Sequence, residues 1–297
     1  MRILLLGKNG QVGWELQRSL APLGELIALD RNAVGGMCGD LTNLDAIRST
    51  IRLARPDIIV NAAAYNLVDK AESDSGVAEL VNHEAVRVLA EEAASAGAWL
   101  VHYSTDYVFD GAGLAPWCET DIAVPLNRYG MSKLAGERAI QASGCKYLIF
   151  RTSWVYSSRG NNFAKTMLRL GRERETLNVI ADQIGAPTGA DLIADVTALA
   201  LQQLLRHPEL AGLYHLTAGG EVSWYGYACH VIEFAKANGY EMKVKTISPM
   251  EALAYPAPAR RPLNSRLSTQ KLRSNFSIHL PDWQSGVTRM LREVLDK

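Results

Sequence analysis

The first twenty residues constrain this chain more than any other stretch. A leucine-rich run, Arg2–Leu6, leads without a spacer into Gly7-Lys8-Asn9-Gly10-Gln11-Val12-Gly13, and an amphipathic stretch, Val12–Leu20, continues from it. A strand that enters a helix through regularly spaced glycines leaves backbone amides uncovered at the helix start, where N–H groups and the helix dipole stabilise an anion. Glycines alone would mark an ordinary turn, but strand, turn and helix together form a relative of the dinucleotide fingerprint. Asp30 lies 17 residues beyond Gly13, at the end of a second run, Glu25–Leu29. That is close to where a ribose-binding carboxylate belongs. Its charge favours NADH, whereas Arg31 beside it suits the 2′-phosphate of NADPH, so either cofactor is expected.

The first half keeps up the same alternation. Asp57–Asn61, Trp99–Tyr103 and Tyr147–Arg151 read as further strands, with helices near Leu44–Leu53, Gly76–Ala96 and Tyr129–Ala142. Right-handed βαβ crossovers wind this order into an α/β doubly wound parallel sheet, a Rossmann fold, with ligands beyond the carboxyl ends of the strands. After Arg151 loop signals gather at Ser157–Asn162, Gly185–Gly189 and the proline cluster Pro249–Pro262, which marks a second, smaller substrate-binding lobe. Runs at Asn178–Ala181 and Leu213–Thr217 are expected to rejoin the main sheet. The lobes are therefore interleaved: residues 1–151 with roughly 178–218, and residues 152–177 with 219–297.

Composition narrows the partners. Thirty-one basic and 31 acidic residues cancel, which argues against a general nucleic-acid or anionic-membrane binder. The apolar runs are strand-sized and far short of the roughly 20 residues of a membrane span. With a strand starting at Arg2 there is no room for a signal peptide, so a cytoplasmic location is expected. Cys38, Cys118, Cys145 and Cys229 lack metal or redox spacing and are expected to be buried free thiols.

The chemistry is expected where the fourth strand ends. There the chain reads His102-Tyr103-Ser104-Thr105-Asp106, and 24 residues after Thr105 comes Tyr129-Gly130-Met131-Ser132-Lys133. Tyr129 and Lys133 share one helix face, and an ammonium beside a phenol lowers a pKa that otherwise lies near 10. The pair alone is a common coincidence; its position beside a strand tip and downstream of a glycine turn makes it a candidate acid–base couple. Asn61-Ala62-Ala63-Ala64 ends the third strand with the small residues that a closely passing cofactor needs. Asp40 stands near the expected adenine, or else helps start the helix that follows.

The strings Val101–Phe109, Pro125–Gly130, Phe150–Tyr156 and Arg261-Pro262-Leu263-Asn264-Ser265 resemble the extended short-chain dehydrogenase/reductase family, in particular its sugar-nucleotide 4-keto reductases, over essentially the whole chain. The resemblance implies NAD(P)H-dependent reduction of dTDP-6-deoxy-L-lyxo-4-hexulose to dTDP-L-rhamnose. Tyr129 would donate the proton, Lys133 would hold the nicotinamide ribose and tune Tyr129, and Thr105 would hydrogen-bond the carbonyl. Gly7, Gly10, Gln11, Val12, Gly13, Asp30, Arg31, Asp40, Leu41, Ala63, Ala64, Tyr65, Asn66, Tyr103, Tyr129 and Lys133 would line the cofactor. Thr105, Asp106 and Trp154 would meet the sugar nucleotide, with Arg260, Arg261 and Arg266 for its diphosphate. Trp154 reads equally as packing between the lobes. The family implies a homodimer and, in some members, Mg²⁺ between subunits; the matching positions are Glu15 and Asp191, which read more simply as first-turn helix carboxylates. Asn66 departs from the threonine usual there. Two other readings stay open: a related epimerase or dehydratase, disfavoured because Tyr107 replaces the dehydratase glutamate, and a non-catalytic dinucleotide-binding regulatory subunit.

Overall fold

A computed structural model describes residues 1–296 of the chain. Strand β1 (Arg2–Leu6), helix α1 (Gln11–Leu20), β2 (Glu25–Leu29), α2 (Leu44–Ala54), β3 (Ile58–Asn61), α3 (Ala85–Ala96), β4 (Trp99–Thr105), α4 (Arg128–Ala142) and β5 (Lys146–Thr152) alternate as the periodicity predicts. The remainder comprises α5 (Phe163–Glu173), β6 (Thr176–Ile180), α6 (Ala190–Leu204), β7 (Gly212–His215), α7 (Trp224–Ala237), β8 (Thr246–Met250), α8 (Gln270–Phe276) and α9 (Trp283–Leu295), with short bridging elements between. Six strands form one parallel sheet in the order β7-β5-β4-β3-β1-β2. The order reverses between β1 and β3, and the crevice at that switch point opens over the glycine turn.

Alternation within β1 explains the double winding. Ile3 and Leu5 face one core with α1, α6 and α8, whereas Leu4 and Leu6 face the other with α2, α3 and α4. All four are fully buried, each contributing about 1.5–3 kcal/mol by removal from water. With both faces sealed, a polar side chain on a strand is either paired inside, as His102 is, or sits at a strand end. A third core, built from α5, β6, α7 and α9 around Tyr227, Val231 and Trp283, forms the second lobe.

Four expectations need correcting. Strand β6 forms, but it pairs with β8 in a separate two-stranded sheet rather than joining the main one, because Leu177 and Val179 bury into the lobe core. The C-terminal segment is not confined to the lobe, since Leu272 and Phe276 of α8 pack under the main sheet. The expected helix Gly76–Ala96 is broken by a π-turn, Leu80–Glu84. Of the cysteines, all free, only Cys145 is buried and Cys118 is exposed. Among the described residues no helix is long and apolar enough to cross a membrane.

Phe276 is fully buried and meets Tyr214 of β7 edge to face at 5.1 Å. Phe276→Ala is expected to lower stability by about 3–5 kcal/mol, read as a fall in the urea midpoint of the main-sheet transition. A shift confined to the lobe would contradict this packing.

Candidate active site

The glycines of the first turn differ in what they do. Gly7 has φ +85°, and a Cβ there would lie 2.7 Å from Ala63 N; a Cβ on Gly13 would lie 2.1 Å from Gly7 O. These two let β1, α1 and the end of β3 approach one another. Gly10 is the N-cap of α1 and carries no side-chain cap, and no acidic residue occupies the first turn, so the helix start offers free amides to an anion.

A groove of about 510 Å³ opens there. Gly7, Gly10, Gln11, Val12, Asp30, Arg31, Asp40, Leu41, Ala63, Ala64, Asn66, Tyr103, Tyr129 and Lys133, all expected from sequence, line it together with Asn32, Thr42, Ser104 and Thr152, which were not. Two expected residues do not line it. Gly13 acts from behind by steric clearance, and Tyr65 turns its hydroxyl to Asp74 at 3.3 Å. Asp30 accepts from Asn32 N at 2.8 Å and from Asn9 Nδ2 at 2.6 Å, and the Asn32 amide leads in holding its carboxyl below the usual range. Asp40 lines the groove and accepts from Thr42 N at 3.0 Å, but it does not cap α2, whose N-cap is Asn43.

At the other end of the groove, Asn127 caps α4 by accepting from Gly130 N at 2.8 Å. A Cβ on Gly130 would lie 2.2 Å from Tyr107 O, so the glycine after Tyr129 is what lets this helix start close against the tip of β4. Tyr129 meets Tyr107 edge to face at 5.8 Å. Burial pushes the Tyr129 hydroxyl up to about 12, against the lowering effect of Thr105 beside it. The expectation that Lys133 lowers it does not hold in this state. The lysine, 2% exposed, points its Nζ at Tyr103 O, 2.6 Å away, and at His102 Nε2, 3.1 Å away. Burial brings its own pKa down to about 8.

The tips of β4 and β5 hold unpaired polar atoms. Ser104 Oγ, Asp106 Oδ2, Thr152 Oγ1 and Ser153 Oγ are buried without a hydrogen-bond partner, a pattern that asks for a ligand. Thr105 Oγ1 accepts from Tyr107 N at 3.1 Å and reaches Asp106 Oδ1 at 3.2 Å. Burial raises Asp106 to about 7, with Ser265 and Thr105 pulling it down. Trp154 has φ +49°, a costly conformation for a bulky residue. Its ring stacks on Trp224 at 3.6 Å, Trp224 Nε1 donates to Gln183 Oε1 at 3.1 Å, and a Cβ on Gly185 would lie 2.8 Å from the Trp154 ring. Trp224 and Gln183 went unnoticed in the sequence, Ser265 stood only at the end of a family string, and Gly185 read only as a loop signal.

The three arginines are not equivalent. Arg261 is paired with Asp69 at 2.7 Å and Arg266 with Glu221 at 2.7 Å, while Arg260 is exposed and only its carbonyl is engaged, by Asn127 Nδ2. Glu15 and Asp191 share a cavity of about 210 Å³ with Arg18, Arg289 and Glu293. Asp191 is in the first turn of its helix but Glu15 is not. Asp191 is bound by Arg289 at 3.2 Å and Glu15 lies 3.7 Å from Arg18. Among the described residues the one convergent set of three metal-type ligands is Glu79, His83 and Glu84 at the surface. Glu15, Asp191 and Glu293 thus face one cavity with two arginines, and burial, then Asp191, raises the Glu15 carboxyl.

The residue 1–295 segment matches the family model described as the RmlD substrate binding domain. A dTDP-4-dehydrorhamnose reductase of Shigella flexneri is 57% identical over 294 residues, covering 99% of this chain and 98% of the relative. One from Burkholderia thailandensis is 47% identical, with both chains covered in full. Among solved structures, a dTDP-4-dehydrorhamnose reductase from Bacillus anthracis in complex with NADP superposes with a TM-score of 0.86 at 37% identity, covering 98% of this chain and 99% of that one.

Folded Asp106 keeps its proton up to about 7, whereas an unfolded chain releases it near 4. Folding therefore takes up a proton between those values, and stability declines as the pH rises through them. Asp106→Asn removes this loss. The variant is expected to exceed the native chain in urea stability at pH 8, by up to about 4 kcal/mol, with the gap narrowing toward pH 5. Equal stability at pH 8 would count against a buried, proton-retaining carboxyl.

Proposed function

The chain belongs to the RmlD substrate binding domain family, and from that premise we propose that it reduces the 4-keto group of dTDP-4-dehydrorhamnose with NADPH or NADH. The observation that carries this reading is a cofactor-sized groove whose far end is closed by Tyr129 and Lys133 beside the Thr105–Asp106 tip of β4. The groove suits a dinucleotide because its first turn is cleared of Cβ atoms and its helix start is uncapped. A reduced nicotinamide bound there supplies the hydride. The rest falls to side chains.

Reduction turns a carbonyl oxygen into an alkoxide, so the site needs a donor that arrives protonated. Tyr129 is one, because burial holds its proton far above neutral pH, and the alkoxide it serves is more basic still. Thr105, next to it, orients the carbonyl oxygen. Asp106 Oδ2 lacks a donor, and a sugar hydroxyl would supply one. Trp154 forms a flat wall for the sugar, held in its strained backbone conformation by the stack on Trp224. Arg260 is the arginine left for the diphosphate. The position after Asp106, where a dehydratase needs a second acid, is a tyrosine whose hydroxyl burial keeps protonated; that favours simple reduction.

Two outcomes follow. Tyr129→Phe should lower kcat with the 4-keto sugar nucleotide by about 10²–10⁴-fold while NADPH still binds, read from the enhancement of its fluorescence; undiminished turnover would remove Tyr129 from the chemistry. Trp224→Ala should free Trp154 and raise KM for the sugar nucleotide about tenfold, a cost of about 1.4 kcal/mol, leaving cofactor affinity unchanged. If cofactor affinity falls as well, the tryptophan pair supports the whole lobe rather than the sugar wall.

A further inference from the structure

His102 lies in the middle of the site yet has no part in the chemistry above. It is fully buried on β4, with Nδ1 3.2 Å from Asn61 Nδ2 and Nε2 3.1 Å from Lys133 Nζ. The Asn61 amide is oriented by its other end, since Oδ1 accepts from Ala63 N at 3.1 Å. Donor parity then fixes the rest. Asn61 Nδ2 donates to Nδ1, so the proton of the neutral imidazole is on Nε2 and points at Lys133 Nζ. Nζ must accept it with a lone pair while donating to Tyr103 O, which is the bonding of an amine, not an ammonium.

Protonating Lys133 reverses every bond in the row. An ammonium donates to Nε2, the imidazole proton moves to Nδ1, and the Asn61 amide must turn to accept it. The turn takes Oδ1 away from the Ala63 N–H and puts an NH₂ group there instead. Ala63 lines the cofactor groove. We propose that Asn61 and His102 form a hydrogen-bond relay that couples the protonation of Lys133 to the backbone of the cofactor groove at Ala63. Asn61 and His102 are thereby positioning residues, and cofactor affinity senses whether the lysine holds its proton.

The groups around the lysine permit both states. Burial brings Lys133 to about 8, and burial, followed by the lysine itself, keeps His102 neutral. On its own helix Lys133 is accompanied by Tyr129 and by Glu137, both of whose oxygens are bound by Arg151 of β5 at 2.9 and 2.6 Å. Asp106 is the buried carboxyl at the β4 tip. On β3 the relay residue is the neutral Asn61. The π-turn against α4 carries His83 and Glu84, with His83 bonded to Glu79 at the surface.

The proposal rests on the groove being the cofactor site, and its first test does not require turnover. In the ligand-free protein, ¹⁵N spectra of labelled histidines, with His102 assigned by its loss in His102→Phe, should show Nε2–H above about pH 8.5. As the pH falls through about 8, the signal should change to Nδ1–H, and the Ala63 amide should shift with it. NADPH affinity should change about threefold or more across the same range. Asn61→Asp can accept from both Ala63 N–H and Nδ1–H but donates to neither, so it should hold His102 as Nδ1–H from pH 6 to 9 and flatten the affinity profile. If Asn61→Asp does not fold, His102→Phe should likewise abolish the pH response of the Ala63 amide. A His102 tautomer that stays constant from pH 6 to 9.5 in the native chain overturns the relay. A working relay without reductase activity would sink only the functional reading.

Discussion

The constraint on which the rest depends is that a doubly wound parallel sheet leaves water almost no access except at its edges. Helices seal both faces of β1 through β5 with apolar side chains, so any polar residue on a strand is either paired inside or collected at the carboxyl tips. This chain collects many of them. Asn61, His102, Ser104, Thr105, Asp106, Arg151 and Thr152 are all buried at or next to those tips. Burying such groups costs stability unless each finds a partner. Some do, as in the Glu137–Arg151 pair; others, such as Ser104 Oγ and Asp106 Oδ2, have none.

The legible part of the sequence was the part governed by local periodicity and by glycine. Strand and helix positions through β5 follow from apolar spacing, and Gly7 and Gly13 carry a steric requirement that can be read without coordinates. Pairing partners were not legible. A short apolar strand such as β6 fits equally well beside β7's neighbours or beside β8, and only the burial of Leu177 and Val179 in the lobe decides. The same limit applies to the arginines. Arg261 and Arg266 look free in a basic loop, but their carboxylate partners Asp69 and Glu221 lie far away along the chain. The positive φ of Trp154 and its stack on Trp224 are likewise products of tertiary contact.

The Tyr129–Lys133 spacing was read correctly as a shared helix face, but the inference from it was too simple. Proximity along a helix does not say where an ammonium spends its hydrogen bonds. Here Lys133 turns to Tyr103 O and His102, and desolvation, which acts on both residues, raises the phenol and lowers the amine. Each shift favours the uncharged form. With Lys133 near 8 the amine still carries its proton at neutral pH, and the phenol keeps its own.

Neither Lys133 nor Asp106 has a counter-ion to itself: Glu137, which favours the charged lysine, is taken by Arg151, and Asp106 is faced by hydroxyls. Ser104 and Thr152 place unpartnered hydroxyls on the groove, and Asp106 has an unpartnered carboxyl oxygen at the tip of β4. A buried polar atom without a partner costs stability, so these strand-tip positions are where a ligand's hydroxyls would return the most.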